Sequence, residues 1–295
     1  MLNVASQNRC QNGLTPRPVL VKNSHCHLDH TASRVIRDSE SCNLRGICQS
    51  VPVSESFEVT VEGVVAVFCD PPTYPTENEL VSLTLQGAVP VVGVHPRNVM
   101  KEEEYLGKIQ ALLENPLVAG LGEIGLDRSA PRSEWVSQIL RLKNLLPLMK
   151  PTQVLVLHCR GTQESPVDEA LLMLLYVVKA YVPSTQLIHL HCYTGSWELV
   201  DEWLESFPNT YFGFTILAAD DEEVFSKVDA SRILLETDAP YFYPDTLGCR
   251  TSTPAMLGVV AGKLACFRRL TWQQLLQIAT ENAKRLYLSR LAPQE

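Results

Sequence analysis

Residues 19–27 have the sequence VLVKNSHCH, an apolar run that predicts a buried β-strand ending in two histidines. In an extended chain, side chains two residues apart lie on the same face, so His25 and His27 point together and Cys26 points away. Two neutral imidazoles placed in this way can bind a metal ion. An isolated H-x-H is equally consistent with two hydrogen-bonded polar residues at a strand end, so the rest of the chain must decide between these interpretations.

Seven further strand-like segments follow, each ending in small or polar residues and separated by helical patterns. Strands that alternate with helices predict βαβ units and a parallel sheet. Eight such units in 295 residues favour a TIM (β/α)8 barrel, a single α/β domain, over an open doubly wound sheet. The seven segments are EGVVAVFCD, VPVVGVHP, LVAGLGEIGLD, TQVLVLHCR, STQLIHLHCYTG, NTYFGFTIL and SRILLETDAPY.

The predicted barrel domain covers residues 19–290, and a flexible polar lead precedes it over residues 1–18. The pattern is weakest over residues 30–61, which predict only a poor first helix. It is strong near the C-terminus, where TWQQLLQIATENAKRLYL predicts a helix that Thr271 and Gln274 open as a capping box. No helix opens with a G-x-G-x-x-G or P-loop pattern, which weakens a nucleotide-binding interpretation.

The composition is that of an ordinary globular protein, with 45% apolar and 20% charged residues. No apolar stretch approaches the roughly 20 residues of a membrane span, and the N-terminus lacks the plan of a signal peptide. Nine scattered cysteines without metal-binding spacing indicate reduced thiols, so we expect a cytoplasmic or nuclear protein. We also expect a monomer that binds no membrane. A net charge of −8 argues against a generally basic nucleic-acid-binding surface, although a local basic rim is compatible with it.

The polar residues of the pattern gather at the predicted C-terminal ends of the strands, where barrels of this type carry their active sites. Histidines from three strands and carboxylates from two others can together hold two divalent ions, and Glu123 is a natural bridge because a carboxylate has two oxygens. A ring of polar residues that merely caps the barrel would not need so many imidazoles pointing inward. The strand ends carry His25, His27, His95, Glu123, His158, His191 and Asp238.

The ordered motifs SHCHLD, GVHP, GEIGLD, LHCR, HCYTG, ETDAPY and ATENAKRLY resemble the TatD family of metal-dependent deoxyribonucleases. The resemblance runs from about residue 19 to residue 288, and VFCDPPT, HLHCYTGS and ETDAPYFYP are most similar to the animal TatD domain-containing protein 2 subgroup. It implies a TIM barrel of the metal-dependent hydrolase superfamily that cleaves phosphodiesters, with 3′–5′ exonuclease activity, using two divalent cations. Carried over residue by residue, the implied metal ligands are His25, His27, Glu123, His158, His191 and Asp238.

The chain departs from the family pattern in two places. Asn23 stands where the family usually has an aspartate, so a carboxylate beside the metal ligands becomes an amide. Arg128 stands where an aromatic residue usually follows GEIGLD, and the loop to the next helix is several residues shorter. All six implied ligands are present.

Roles in catalysis follow from these positions. Two ions can activate a water molecule and stabilise the attacking and leaving oxygens of an in-line displacement. We expect Asp238 to act as the general base and Glu123 to bridge the ions, so these two residues form the predicted catalytic pair. His95, with Pro96 behind it, is better placed to contact phosphate than to bind a metal. Three arginines just beyond strand ends are the other predicted substrate-binding residues, because guanidinium groups make bidentate phosphate contacts: Arg128, Arg160 and Arg250.

Glu236 and His189 each precede a predicted ligand by two residues, so they should face the barrel interior one layer deeper. They either orient the ligands or are satisfied polar residues of the core.

Several alternatives remain open from the sequence. The family resemblance favours Mg²⁺, and the N and O donor set also suits Mn²⁺ or Zn²⁺. DNA is the expected substrate, and a nuclease for RNA or for RNA/DNA hybrids would use the same site. The residues themselves do not decide between exonuclease and endonuclease cleavage. A small-molecule amidohydrolase would share the barrel, but many of that class bridge their metals through a modified lysine at the position of Glu123. A binding module without activity would be expected to have lost a ligand.

Overall fold

A computed structural model describes residues 19–35, 43–220, 222–243 and 250–288. The predicted lead over residues 1–18 and the last two residues of the predicted domain lie outside the described residues. No helix in these ranges is both long enough and apolar enough to cross a membrane.

Eight parallel strands form one sheet in which each strand pairs with the next along the chain. This order confirms the predicted TIM barrel, since an open doubly wound sheet would place early strands in its middle. The strands are β1 (Val19–Cys26), β2 (Val59–Phe68), β3 (Ala88–Val92), β4 (Gly120–Asp127), β5 (Val154–Arg160), β6 (Ile188–Leu190), β7 (Thr210–Phe214) and β8 (Ile233–Leu235).

The barrel closes between β1 and the segment that follows β8, a junction called here the β1–β8 seam. Cys26 and Ala239 form an isolated parallel bridge. The His27 amide donates to the Ala239 carbonyl at 2.8 Å, and the Asp238 amide donates to the His25 carbonyl at 3.2 Å. The backbone that carries the predicted ligands therefore also closes the sheet.

Helices cover the outside of the sheet, and several begin at clear capping signals. Thr76 with Glu79 and Thr271 with Gln274 both form capping boxes, and the second confirms the prediction for the C-terminal helix. The described part of the weakly patterned region contains two short helices, which the sequence pattern resolved poorly. The helices are α1 (Leu28–Val35), α2 (Leu44–Gln49), α3 (Glu77–Leu85), α4 (Glu102–Glu114), α5 (Trp135–Leu145), α6 (Val167–Lys179), α7 (Trp197–Ser206), α8 (Glu222–Lys227), α9 (Leu257–Leu264) and α10 (Trp272–Tyr287).

Alternation along the strands divides the core into two layers. In β5, Leu155 and Leu157 belong to the large cluster between sheet and helices, whereas Val154 and Val156 belong to a smaller cluster. That smaller cluster also includes Tyr287 at the end of α10. Because successive side chains alternate, His158 continues the face of Val154 and Val156, which is the barrel interior. The same period brings the other strand-end residues inward.

Candidate metal centre

The structure brings all six predicted metal ligands to one mouth of the barrel. They come from the end of β1 or just after it, from β4 and β5, and from the residues just after β6 and β8. Five of them line a cavity of about 610 Å³, with His25 lying deeper. His25 is 0% exposed, Glu123 2% and Asp238 6%, so water has little access to the atoms at the bottom.

Gly122 lets β4 approach β5 closely at this point. A Cβ atom on Gly122 would lie 2.5 Å from Val156, and its φ of +156° lies at the edge of the region that favours glycine. Glycine here allows the backbone next to Glu123 to pack against β5.

Four donor atoms surround one point. His27 Nε2 lies 3.4 Å from Glu123 Oε2 and 3.3 Å from Asp238 Oδ1. The corresponding distances from His25 Nε2 are 3.6 and 3.7 Å, and the two Nε2 atoms are 3.4 Å apart. Ligand atoms about 2.1 Å from one shared ion are separated by about 3.0–3.4 Å. These separations suit ligands of a common cation better than direct hydrogen bonds.

Two carboxylate oxygens support the same interpretation. Glu123 Oε2 and Asp238 Oδ1 are buried and have no hydrogen-bond partner among the described residues. A buried carboxylate oxygen without a partner is unfavourable unless a cation or a donor compensates it. The residues present therefore fit a divalent cation.

Glu123 faces a second group of imidazoles through its other oxygen. Its Oε1 contacts His158 Nδ1 and lies 3.9 Å from His191 Nε2, which is itself 3.6 Å from Asp238 Oδ1. The two oxygens of Glu123 thus point to two different pairs of histidines. A carboxylate in this arrangement can hold two cations side by side.

The ionisation of the site favours bound positive charge. Burial raises the pKa of Glu123, but the charges of His158 and His191 outweigh burial and hold that pKa well below its usual range. Burial lowers the pKa of His191, but Glu236, Asp238 and Glu123 raise it to about 10. In the absence of a cation, protons on the histidines therefore balance the carboxylates, and a divalent ion would displace them.

Two buried carboxylates contact the candidate ligands His191 and His158 from below. The sequence interpretation included the first, Glu236, but missed the second, Asp127. Glu236 Oε1 lies 3.0 Å from His191 Nδ1, as expected if Glu236 orients that ring. Asp127, fully buried at the end of β4, places Oδ2 3.4 Å from His158 Nε2, while the Ser129 amide donates to its Oδ1 at 2.8 Å. Asp127 could have been predicted from its position as the last residue of GEIGLD, at the C-terminal end of β4.

Asn23 joins the two halves of the β1–β8 seam. Its Nδ2 donates to Thr237 Oγ1 at 2.6 Å, and its Oδ1 accepts from the His25 amide at 3.2 Å and the Thr237 amide at 3.3 Å. An ionised aspartate could not donate to Thr237. The amide therefore replaces the family's carboxylate with a group that both donates and accepts. Nearby, Asp238 has a φ of +48°, a left-handed conformation that is unusual for a residue other than glycine.

His95 lies on the cavity wall as a neutral donor. Its Nδ1 accepts the Arg97 amide hydrogen at 3.1 Å, so the neutral ring carries its proton on Nε2, 3.8 Å from Glu123 Oε1. Burial lowers the pKa of His95 to about 4. At neutral pH the ring therefore presents an uncharged N–H to the cavity, which suits a phosphate oxygen better than a metal.

The three predicted arginines are not brought together. Arg160 is exposed and lines the cavity. Arg128 and Arg250 are not among its lining residues, a statement that covers only the described part of the chain. The Arg128 guanidinium lies 4.4 Å from the centre of the Trp135 ring, because the short loop after Asp127 brings α5 close. Arg250 is exposed at the edge of a range that the structure does not describe.

One wall of the cavity was absent from the sequence interpretation. His30 Nε2 lies 2.9 Å from Asp70 Oδ2, and His30 Nδ1 lies 3.1 Å from the Tyr241 hydroxyl. Asn98 Nδ2 donates to Asp70 Oδ1 at 3.2 Å. Asp70 follows β2, so the strand-end rule could have found it, but His30 lies on α1, in the region with the weakest pattern.

Comparison with known proteins identifies the family. The model of the TatD-related DNase family matches residues 23–288. The human 3′-5′ RNA nuclease TATDN2 is 31% identical over 283 residues, which cover 90% of this chain and 34% of TATDN2. The 3′-5′ ssDNA/RNA exonuclease TatD of Erwinia amylovora is 28% identical over 207 residues, covering 66% of this chain and 76% of that protein. This chain thus spans about a third of the human relative and most of the bacterial one.

A solved structure shares the fold. YJJV, a TatD homologue from Escherichia coli, superimposes with a TM-score of 0.69 at 19% identity, covering 92% of this chain and 98% of that one. At that identity the likeness concerns the fold alone. The family-model match extends from just before the H-x-H motif to the end of α10, in agreement with the ordered motifs of the sequence. The chain therefore belongs to the TatD-related DNase family of hydrolases, as its motifs predicted.

Proposed function

We propose that this protein is a metal-dependent nuclease that removes nucleotides from the 3′ end of single strands, using two divalent cations. One observation carries the proposal: the two oxygens of Glu123 face separate histidine pairs at the bottom of a cavity. His25, His27 and Asp238 would hold one cation with Glu123, and His158 and His191 would complete the other. When bound, the cations would supply Lewis-acid activation of water and stabilisation of charge at phosphorus.

Asp238 would hold a cation through Oδ1, which is buried, has no hydrogen-bond partner among the described residues and lies within 3.7 Å of three imidazole nitrogens. The other oxygen of this carboxylate would accept the proton of the attacking water. Its position at the cavity bottom suits a general base, which must lie within hydrogen-bond reach of the proton it removes. Glu123 would fix the spacing between the cations.

Substrate would be held by donors on the cavity wall. The Nε2–H of His95 is directed into the cavity and would donate to a phosphate oxygen. Arg160, at the rim, would contact the phosphate of a neighbouring nucleotide, which positions the strand without selecting its bases. Arg128 and Arg250 would contact only parts of a strand that extend away from the cavity.

A single-stranded end is the form of nucleic acid that suits this cavity. The candidate ligands lie at the bottom of about 610 Å³, a volume of the size that encloses a small molecule. A duplex would have to separate before its scissile phosphate reached them. The Erwinia relative is named for single-stranded DNA and RNA and the human relative for RNA, so the proposal includes both substrates. DNA is the preferred candidate because the family is described as TatD-related DNases.

The remaining features of the proposal come from the sequence. Mg²⁺ is the proposed cation for turnover, with Mn²⁺ or Zn²⁺ as possible occupants, because the donors are all N and O atoms. We place the protein in the cytoplasm or nucleus as a monomer.

The test uses 5′-labelled single strands of DNA and RNA with one sequence, and an RNA/DNA hybrid, each with Mg²⁺ or Mn²⁺. The expected result is a ladder of products shortened from the 3′ end, with the ratio of DNA to RNA rates naming the preferred substrate. Glu123→Gln, purified in parallel, keeps the side-chain shape and should produce no ladder, which excludes a contaminating nuclease. Cleavage at the wild-type rate by Glu123→Gln, or no cleavage of any strand by the wild type, would contradict the proposal.

A further inference from the structure

Three buried side chains connect the candidate ligand His191 to the C-terminal helix. Glu236 Oε1 lies 3.0 Å from His191 Nδ1, and Glu236 Oε2 lies 3.1 Å from His189 Nε2. His189 Nδ1 in turn lies 2.8 Å from the Tyr287 hydroxyl at the end of α10. His189 and Glu236 are 0% exposed, Tyr287 1% and His191 5%. These four residues are called here the His191 network.

The proton order within the network follows from the chemistry of its members. An ionised carboxylate only accepts, so both histidines must turn an N–H toward Glu236, whose Oε1 also accepts the Cys192 amide hydrogen at 2.5 Å. His189 then carries its proton on Nε2, and its Nδ1 must accept from the Tyr287 hydroxyl. His191 likewise carries its proton on Nδ1. Once a cation displaces the proton on its Nε2, the lone pair of that atom is left on the side of Asp238 Oδ1 at 3.6 Å and Glu123 Oε1 at 3.9 Å.

The fold leaves room for this network at one glycine. A Cβ atom on Gly213, in β7, would lie 2.5 Å from both Glu236 Oε2 and His189 Nε2. His189 Nε2, Glu236 Oε2 and His191 Nδ1 are buried and form no hydrogen bond of good geometry with the described residues, so their polar contacts are the ion pairs of 3.0 and 3.1 Å within the network. The contacts within the network are therefore the ones that compensate their burial.

We propose that Tyr287 and His189 are positioning residues for His191, acting through Glu236. The Tyr287 hydroxyl fixes the tautomer of His189, which holds Glu236 in place, and Glu236 fixes the tautomer and ring orientation of His191. The affinity of the site for a divalent cation thus depends on a hydroxyl at the end of α10 that touches neither cation nor substrate. This inference rests on the proposed metal centre.

The experiment measures the dissociation constant of Mn²⁺ for the full chain after chelator treatment, by electron paramagnetic resonance. Tyr287→Phe keeps the ring and removes the hydroxyl, and Glu236→Gln removes the acceptor charge. Tyr211→Phe is the matched control, because Tyr211 is 3% exposed in the same interior cluster and its ring contacts Arg232, which lies outside the His191 network. Loss of a partner to a metal-binding histidine typically weakens metal affinity about 10–100-fold.

We expect Glu236→Gln to weaken Mn²⁺ binding within that range, about 10–100-fold, and Tyr287→Phe to weaken it by about 3–10-fold, since its effect is transmitted through two residues. Tyr211→Phe should bind Mn²⁺ like the wild type. Melting temperatures of the metal-free proteins separate positioning from packing. A purely structural role for Tyr287 would lower the melting temperature of the metal-free variant and leave the dissociation constant unchanged.

The outcomes distinguish this inference from the proposed function. If the wild type binds no Mn²⁺, the metal centre and the inference both fail. If the wild type binds Mn²⁺, His191→Ala weakens binding, and Tyr287→Phe binds as tightly as the wild type, the metal centre stands and the inference is overturned. Tyr287→Phe decides the question even if Glu236→Gln does not fold.

Discussion

Replacing Asp238 with asparagine should abolish proton removal while leaving the shape of the site intact. Asparagine keeps an oxygen that can remain near His25, His27 and His191, which lie 3.3–3.7 Å from Asp238 Oδ1. It loses the negative charge and the capacity to take a proton. General-base catalysis contributes about 10²–10⁴-fold to a rate. At 1.36 kcal/mol for each factor of ten, the barrier should rise by about 2.7–5.4 kcal/mol.

The assay compares single-turnover rates of Asp238→Asn and the wild type at saturating Mn²⁺, so that a weaker affinity for the cation does not mimic a slower step. Strand binding is measured separately and should survive, because His95 and Arg160 keep their positions on the cavity wall. Asp201→Asn, on the exposed face of α7, makes the same chemical change away from the cavity and should cleave normally. Wild-type turnover in Asp238→Asn under these conditions would refute the assignment of the base.

Three further predictions concern metal, substrate contacts and pH. Excess chelator should abolish cleavage and Mg²⁺ or Mn²⁺ should restore it; activity that persists in chelator would exclude a metal mechanism. Arg160→Ala should raise KM and lower the salt dependence of strand binding by about one counterion; equal salt slopes for Arg160→Ala and the wild type would return Arg160 to the solvated surface. Burial lowers the pKa values of His25 and His95 from 6.5 to about 4. As pH falls from about 6.5 toward 4, the unfolded chain binds protons at these histidines and the folded metal-free protein does not, so the free energy of unfolding should fall. Burial lowers the pKa of His191, but neighbouring carboxylates raise it to about 10. Protonated His191 therefore stabilises the folded protein fully below about pH 6.5, and this stabilisation is lost as pH rises toward 10. The free energy of unfolding from urea melts should show a maximum near pH 6.5, and a monotonic profile would contradict these assignments.

The parts of this molecule that follow from backbone periodicity were predictable from the sequence. Alternation placed His158 and His191 on the inner face, and the strand-end rule gathered the six candidate ligands at one mouth. The side-chain contacts that depend on tertiary packing could not be predicted from periodicity. Arg128 stacks on Trp135 because a short loop brings α5 close, and no local pattern encodes that distance. His30 links Asp70 to Tyr241, and it lies on α1, a short helix without a long periodic signal.

The His191 network shows the same limit. The sequence placed Glu236 and His189 in a deeper layer but left open whether they orient a ligand or merely fill the core. Tyr287 lies 98 residues from His189 along the chain. Nothing in the C-terminal helical pattern distinguishes a tyrosine whose hydroxyl has a polar partner from a phenylalanine buried at the same position. Only the packing of α10 against the barrel interior shows that this tyrosine has a polar partner.

The β1–β8 seam links closure of the barrel to assembly of the candidate metal centre. His27 and Ala239, which share its shortest backbone hydrogen bond, are the two ends of a loop of more than two hundred residues, and that loop must close before the contact can contribute any stability. The same contact sets His25 and His27 beside Asp238. A chain in which the seam has not formed lacks Asp238 beside the two histidines, so the candidate cation would lose one of its four proposed ligands.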